Sequence, residues 1–328
     1  MQFNGPIMKA VPHAFALALA LVSSTAVHCQ GYPIKPIRIV VPSSAGGGAD
    51  ATARLLAQKL SELLGQQVFV DNRPGAGNII GTEAVAKAPP DGYTLLLAIN
   101  NHAINASLYQ KLPYDPLKDF APISLIVKSP HVLVVHPSLP VKSVQDLIRL
   151  ARAKPGQINY SSAGNGTAAH FAAELFKLGA RIQITHIPYK SLSAAVIDVI
   201  SGAVQMMFPS TVTASGHIRS GKLKALAVTT AKRSQAMPEL PTLNESGAPG
   251  YEFSSWFGLL APAATPSAVV AQLSQGIAQI VRAKDVQTRL TEDGSDPVGS
   301  TPGEYGAFLQ AEVGTYARLV KEIGLKID

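Results

Sequence analysis

The chain has 328 residues, of which 47% are hydrophobic and only 6% aromatic, and it carries a formal net charge of +7. That length suits two domains of ordinary size, with apolar material for buried cores built from Ala, Val, Ile and Leu. The 28 Lys and Arg are scattered and form no basic run interleaved with aromatics, which excludes the footprint of a nucleic-acid groove.

The first residues read as a secretory signal. Lys9 supplies a positive charge, residues 14–22 are an unbroken apolar run, and Ser24-Thr25-Ala26 is a small-residue cleavage site. The run falls well short of the roughly 20 apolar residues a membrane span needs. Met8-Lys9 opens a more conventional signal than Met1 does. Cys29 is the only cysteine, so no intramolecular disulfide forms. A lipid on Cys29 is disfavoured by His28, which stands where a lipoprotein signal wants a small residue. Residues 1–30 are therefore set aside, and the rest is expected to be exported and soluble.

From Ile37 strands and helices alternate. A strand over residues 37–41 ends at Pro42, a turn follows through Gly46-Gly47-Gly48, and a helix opens near Asp50 and stops at Gly65. Residues 67–70 form the next strand, residues 78–87 a helix and residues 93–98 a third strand. Strands joined by helices at this spacing define βαβ units and a parallel sheet. Two short strands, residues 123–127 and 132–135, split by Lys128-Ser129-Pro130, interrupt the pattern.

The alternation then begins again. A helix runs from Ser143, with Ser143 and Asp146 as a capping box, to about residue 153. Strands follow at 158–161, 182–186, 204–208 and 223–229, with helices at 168–178 and 194–200. A Pro-rich stretch, residues 237–249, leads to a strand at 255–261. The remainder is helical: 267–284, a turn after Asp285, and 302–323, opened by Thr301, Pro302 and Glu304. The C-terminal part has too few strands for its own domain, so it is expected to pack on the first lobe. The division is then residues 31–128 plus 251–328 against residues 129–250. Crossings near Lys128 and within 230–250 make a hinge, and a hinge between α/β lobes makes a ligand cleft.

Three glycine-bearing loops invite a functional reading. Ser43, Ser44, Ala45, Gly46 and Gly47 lead into a helix N-terminus, where free N–H groups favour an anion. The spacing matches neither dinucleotide nor phosphate-loop patterns, so a plain turn remains open. Gly75-Ala76-Gly77 with Gly81 follows the second strand rather than the first, which argues against a nucleotide site. The second lobe offers Ser162, Ala163, Gly164, Asn165, Gly166 and Thr167 in the matching place. Two such loops facing each other would hold one anion between two helix N-termini. The pairing carries the argument.

Chemistry is poorly supported. Ser162 with His102, His170 or His186 lacks a G-x-S-x-G elbow, and His170 reads as a hydrogen-bonded structural residue. The eight histidines show no metal spacing, and no acidic pair suits glycoside hydrolysis. Tyr189, Phe208 and Trp256 suit a pocket wall or plain core equally.

Several stretches in order resemble the Bug-type receptors of tripartite tricarboxylate transporters. They include Tyr32-Pro33-Ile34-Lys35-Pro36-Ile37-Arg38, Asp71-Asn72-Arg73-Pro74-Gly75-Ala76-Gly77 and Pro90-Asp91-Gly92-Tyr93-Thr94. Further along are His102-Ala103-Ile104-Asn105, residues 160–170, Ile187-Pro188-Tyr189-Lys190, residues 221–227 and Ser255-Trp256-Phe257-Gly258. The resemblance implies an α/β, two-lobe periplasmic binding protein of the type II, Venus-flytrap kind, with mainly parallel sheets flanked by helices. It implies a monomer that binds a small carboxylate, delivers it to membrane permease subunits, and uses no cofactor, metal or nucleic acid. It places Ser43–Gly47, Asn78, Asn101, His102, Ser162–Thr167 and Tyr189 around the ligand; Phe208 joins them as a candidate wall.

Three departures stand out. Such receptors commonly read Pro-Phe-Pro-Pro-Gly-Gly in the first loop, where this chain has Pro42-Ser43-Ser44-Ala45-Gly46-Gly47. Hydroxyls thus replace an aromatic wall, which implies a more polar or larger ligand. Ser191 and Pro209 stand where Gly and Asp are usual, and loss of the acid argues against amino-acid ligands. An enzyme on the same fold, and a sensor for a signalling partner, are the rival readings.

Overall fold

A computed structural model describes residues 1–3, 5, 31–234, 237–292 and 294–324. The signal sequence, the Met8 start and Cys29 lie outside the described residues.

Two mixed sheets organise the chain. The first contains β1 (Ile37–Val41), β2 (Val68–Asn72), β3 (Thr94–Ala98), β4 (Phe120–Pro130), β10 (Ser254–Pro262) and β11 (Asp296–Pro297), in the order β11-β4-β10-β3-β1-β2. The second contains β5 (Val132–Val135), β6 (Asn159–Ser162), β7 (Thr185–Pro188), β8 (Met206–Met207) and β9 (Lys224–Val228), in the order β7-β6-β8-β5-β9. Each holds the expected parallel trio, β2-β1-β3 and β7-β6-β8. Each is then extended by antiparallel strands, β10, β4 and β11 in one and β5 and β9 in the other.

Helices cover both faces of both sheets, which explains the near-continuous apolar strands. Alternate residues point to opposite faces. Ile37, Ile39 and Val41 pack under α1 (Gly48–Leu64) and α8 (Ser267–Arg282), whereas Val40 and Leu96 face the side of α2 (Ile79–Ala86), α3 (Asn101–Leu108) and α10 (Pro302–Ile323). In the second sheet Leu133 and Val135 face α4 (Val144–Ala153) and α5 (Ala168–Ala180). Val132 and Val134 face α6 (Leu192–Ser201) and α7 (Thr211–Arg219). The two cores join where Phe171 of α5 meets Tyr316 of α10 edge-on, ring centroids 5.4 Å apart.

Several elements differ from the sequence reading. Lys128-Ser129-Pro130 is no break: β4 runs through it, because Lys128, Ser129 and Pro130 pair with Trp256, Ser255 and Ser254 of β10. Only His131 separates β4 from β5, so one chain crossing is a single residue; the other is the stretch 229–253. Helices α3 and α7 were not foreseen, since neither carries a strong apolar stripe. A further helix, α9 (Lys284–Glu292), replaces the turn after Asp285, because extended Ala283 breaks the helical run and a new helix starts at once. Ser143 caps α4, but Asp146 reaches the amide of Lys142 rather than that of Ser143, so the box is one-armed. The box at Thr301 and Glu304 is complete.

Candidate functional site

Between the sheets lies a cavity of about 810 Å³, within the range of small-molecule sites. Its two sides are strand-to-helix loops. Gly46, Gly47 and Gly48 bring the N-terminus of α1 to it, and Ala163, Thr167 and Ala168 bring that of α5. Gly46 turns the first loop at φ +87°, a conformation that favours glycine.

Neither helix is capped by its own side chain. Gly47 has none, and Thr167 turns its hydroxyl back to the carbonyl of Gly164, 2.8 Å away. In contrast, Ser143, Ser191, Ser210 and Thr301 all cap their helices. The first-turn amides of α1 and α5 therefore stay available, and both helix dipoles aim positive potential into one cavity.

The charge of the lining agrees. Among the described lining residues there is no Asp or Glu, while Arg54 and Arg289 are present. Asp50, in the first turn of α1, lies outside the lining and is neutralised: it accepts from the amide of Gly46 and from Nε of Arg54, both at 3.0 Å. The Arg54 hydrogen bond holds that carboxyl below the usual carboxylate range.

The floor is made by the crossing strands, which sequence reasoning missed. Ser129 and His131 come from one, Ser255 and Phe257 from the other. His131 is buried; its Nδ1 lies 2.7 Å from the carbonyl of Phe208 and its Nε2 2.7 Å from Oγ of Ser255. Burial holds its pKa down to about 4. The far end adds Ser210 and Thr213 of α7 and Leu290 of α9.

Of the residues singled out from sequence, Gly46, Gly47, Ala163 and Thr167 line the cavity; the rest stand behind or beside it. Ser43, Ser44 and Ala45 belong to the first loop without reaching the lining. Asn78 donates to the carbonyl of Pro42 and so braces that loop. Asn101 opens α3, half-buried. His102 turns into the core, with Nε2 2.9 Å from the carbonyl of Pro116 and its ring edge-on to Phe120. Phe208 is wholly buried against Phe176. In the second loop Gly164 and Gly166 shape the turn, their amides bonded to Oγ of Ser162 and Nδ1 of His170, and Asn165 is exposed. Tyr189 donates its amide to Ser162 and its hydroxyl to Asp198. Ser162 is itself wholly buried, with Oγ 2.7 Å from Nε2 of His186, so the one close Ser–His pair of the hydrolase reading lies behind the loop.

Two α/β layers on either side of a cleft floored by the strands that join them define a solute-binding protein. The chain belongs to the tripartite tricarboxylate transporter family receptors, whose family model matches residues 52–325. It is 38% identical to Protein BugT of Bordetella pertussis over 303 residues, 92% of this chain and 93% of that one. Among solved structures, Rpa4515 of R. palustris with adipate superposes with a TM-score of 0.80 at 36% identity, over 90% of this chain and 100% of that one. The periplasmic binding protein BugD gives 0.77 at 34% identity, over 90% and 100%. The family assignment and the α/β binding-protein fold expected from sequence both hold. No helix among the described residues is long and apolar enough to cross a membrane.

Proposed function

We propose that this protein captures a small carboxylate outside the cytoplasm and passes it to the membrane subunits of a tripartite transporter, without altering it. The two lobes are those built on the two sheets, residues 31–130 with 254–324 and residues 132–228, and they close on the ligand about His131 and the stretch 229–253. The observation that carries the reading is the pair of uncapped helix N-termini, at Gly47 and Thr167, facing one cavity that no carboxylate lines among the described residues. An anion there is held by backbone amides and the two helix dipoles. The adipate seen in Rpa4515 fits the same chemistry. Ser43, Ser44, Asn78 and Tyr189 are assigned to shaping the two loops.

The test is a thermal-shift and calorimetry screen on mature protein, unfolded and refolded to strip carried ligand. Mono-, di- and tricarboxylates and aromatic acids are each compared with their amides. A ligand at a hundred times its dissociation constant adds about 2.7 kcal/mol to stability. Stabilisation by an acid but not by its amide is the expected result. No response to any acid, or turnover of a bound acid, overturns the proposal.

A further inference from the structure

The hydroxyl of Ser255 has its polarity fixed by its neighbour. Nδ1 of His131 faces the carbonyl of Phe208 at 2.7 Å. A carbonyl only accepts, so Nδ1 carries the proton. The ring is buried and neutral, which leaves Nε2 with a lone pair alone. Ser255 Oγ, 2.7 Å from Nε2, must therefore donate its single proton to the imidazole. Among the described residues nothing donates to Ser255 Oγ in return. Its lone pairs are left to the cavity that both His131 and Ser255 line.

The position matters as much as the polarity. Ser255 and Phe257 are two apart on β10 and so share a face. The Phe257 ring sits 3.5 Å from where a side chain on Gly48 would begin, at the N-terminus of α1. Two residues of strand span about 7 Å, so the lone pair of Ser255 lies within a small ligand's length of the anion site. Ser129, opposite Ser255 in the ladder, borders the same floor.

We infer that Ser255 is a specificity-determining residue, held as an obligate acceptor by His131, and that it selects carboxylates bearing a hydroxyl that donates to it. His131 acts as a positioning residue. A carbonyl or second carboxylate oxygen at this spot would set lone pair against lone pair, and a methylene would leave the acceptor buried and unpaired. The inference rests on the carboxylate reading above.

Matched acids differing at one carbon test it: succinate, malate and oxaloacetate; adipate, 2-hydroxyadipate and 2-oxoadipate; phenylacetate, mandelate and phenylglyoxylate. Binding to stripped protein is measured by calorimetry. In whichever skeleton binds, the hydroxy acid is expected to bind about tenfold or more tightly than the unsubstituted acid, with the oxo acid weakest. Ser255→Ala brings the hydroxy-to-unsubstituted ratio close to one, and Ser255→Thr, which keeps the oxygen, retains the preference. Unsubstituted or oxo acids binding as well as the hydroxy acid overturns the inference and leaves the carboxylate site standing. So does a preference that survives in Ser255→Ala. Binding of no acid at all overturns both.

Discussion

Thr211 donates its hydroxyl to the carbonyl of Gly294 at 2.6 Å, tying the first turn of α7 to the turn that follows α9. The same hydroxyl lies 3.2 Å from the carbonyl of Pro130, one residue before the chain crosses between sheets. Thr211 is wholly buried, and Gly294 adopts φ +74° where a side chain would collide with that hydroxyl. The contact thus joins elements of both sheets beside the crossing. Thr211→Val removes that proton and leaves the carbonyl of Gly294 without its donor, and is expected to lower stability by about 1–3 kcal/mol. Because Gly294→Ala disturbs the same contact, the two costs should fall short of additive in a double-mutant cycle of denaturant midpoints. Additive losses would mean that the residues act separately.

Acid should unfold this protein through its histidines. His102, His131 and His186 are each held to about 4 by burial, against about 6.5 unfolded. Above about pH 6.5 both states carry neutral rings and this stability is complete. As pH falls from there towards 4 the unfolded chain takes up protons the folded one refuses, and stability is lost. With two to three protons involved, the slope should reach about 3–4 kcal/mol per pH unit within that window. Urea midpoints measured from pH 7.5 to 4 check it; a flat profile would refute the burial argument.

Local features were the most legible part of the sequence. Thr301, Pro302 and Glu304 fix the start of α10 within four residues, and Ile37–Val41 is a strand by composition alone. Gly46, Gly47 and Thr167 were reachable because a strand-to-helix loop in a parallel sheet emerges at the ligand edge. Ser129, His131, Ser255 and Phe257 were not. Their place on the floor depends on β4 pairing with β10 across more than a hundred residues, which no local pattern reports. The available signal was polar residues at i and i+2 in apolar strands, Ser129 with His131. His102 illustrates the converse: its motif was visible, but Tyr114 and Phe120 decide where its ring points.

Gly258 should tolerate no side chain. A Cβ there would lie 2.3 Å from Cζ and Oη of Tyr305, which α10 presses wholly buried onto β10. The neighbour is a rigid ring in a packed core, so relief requires α10 to shift. Gly258→Ala is expected to cost about 1–3 kcal/mol by overpacking, read as a lower denaturant midpoint. Combining it with Tyr305→Phe, which removes one of the two atoms 2.3 Å from the new methyl, should restore part of the loss. No change in midpoint would place Tyr305 elsewhere in solution.

Thr167→Asp separates the anion site from the fold that builds it. Thr167 is the N-cap of α5 but makes no side-chain cap, spending its hydroxyl on Gly164. Aspartate is a better N-cap, and its charge suits the positive end of the helix. Stability should therefore stay within about 1 kcal/mol of the parent protein. The new carboxylate, however, would occupy the amides reserved for the ligand and repel any anion brought to the cleft. Carboxylate affinity should drop at least about tenfold while the thermal midpoint holds, whereas Thr167→Asn, a cap of similar shape without the charge, should lose less. A variant that keeps its affinity would show that the ligand carboxylate sits away from α5.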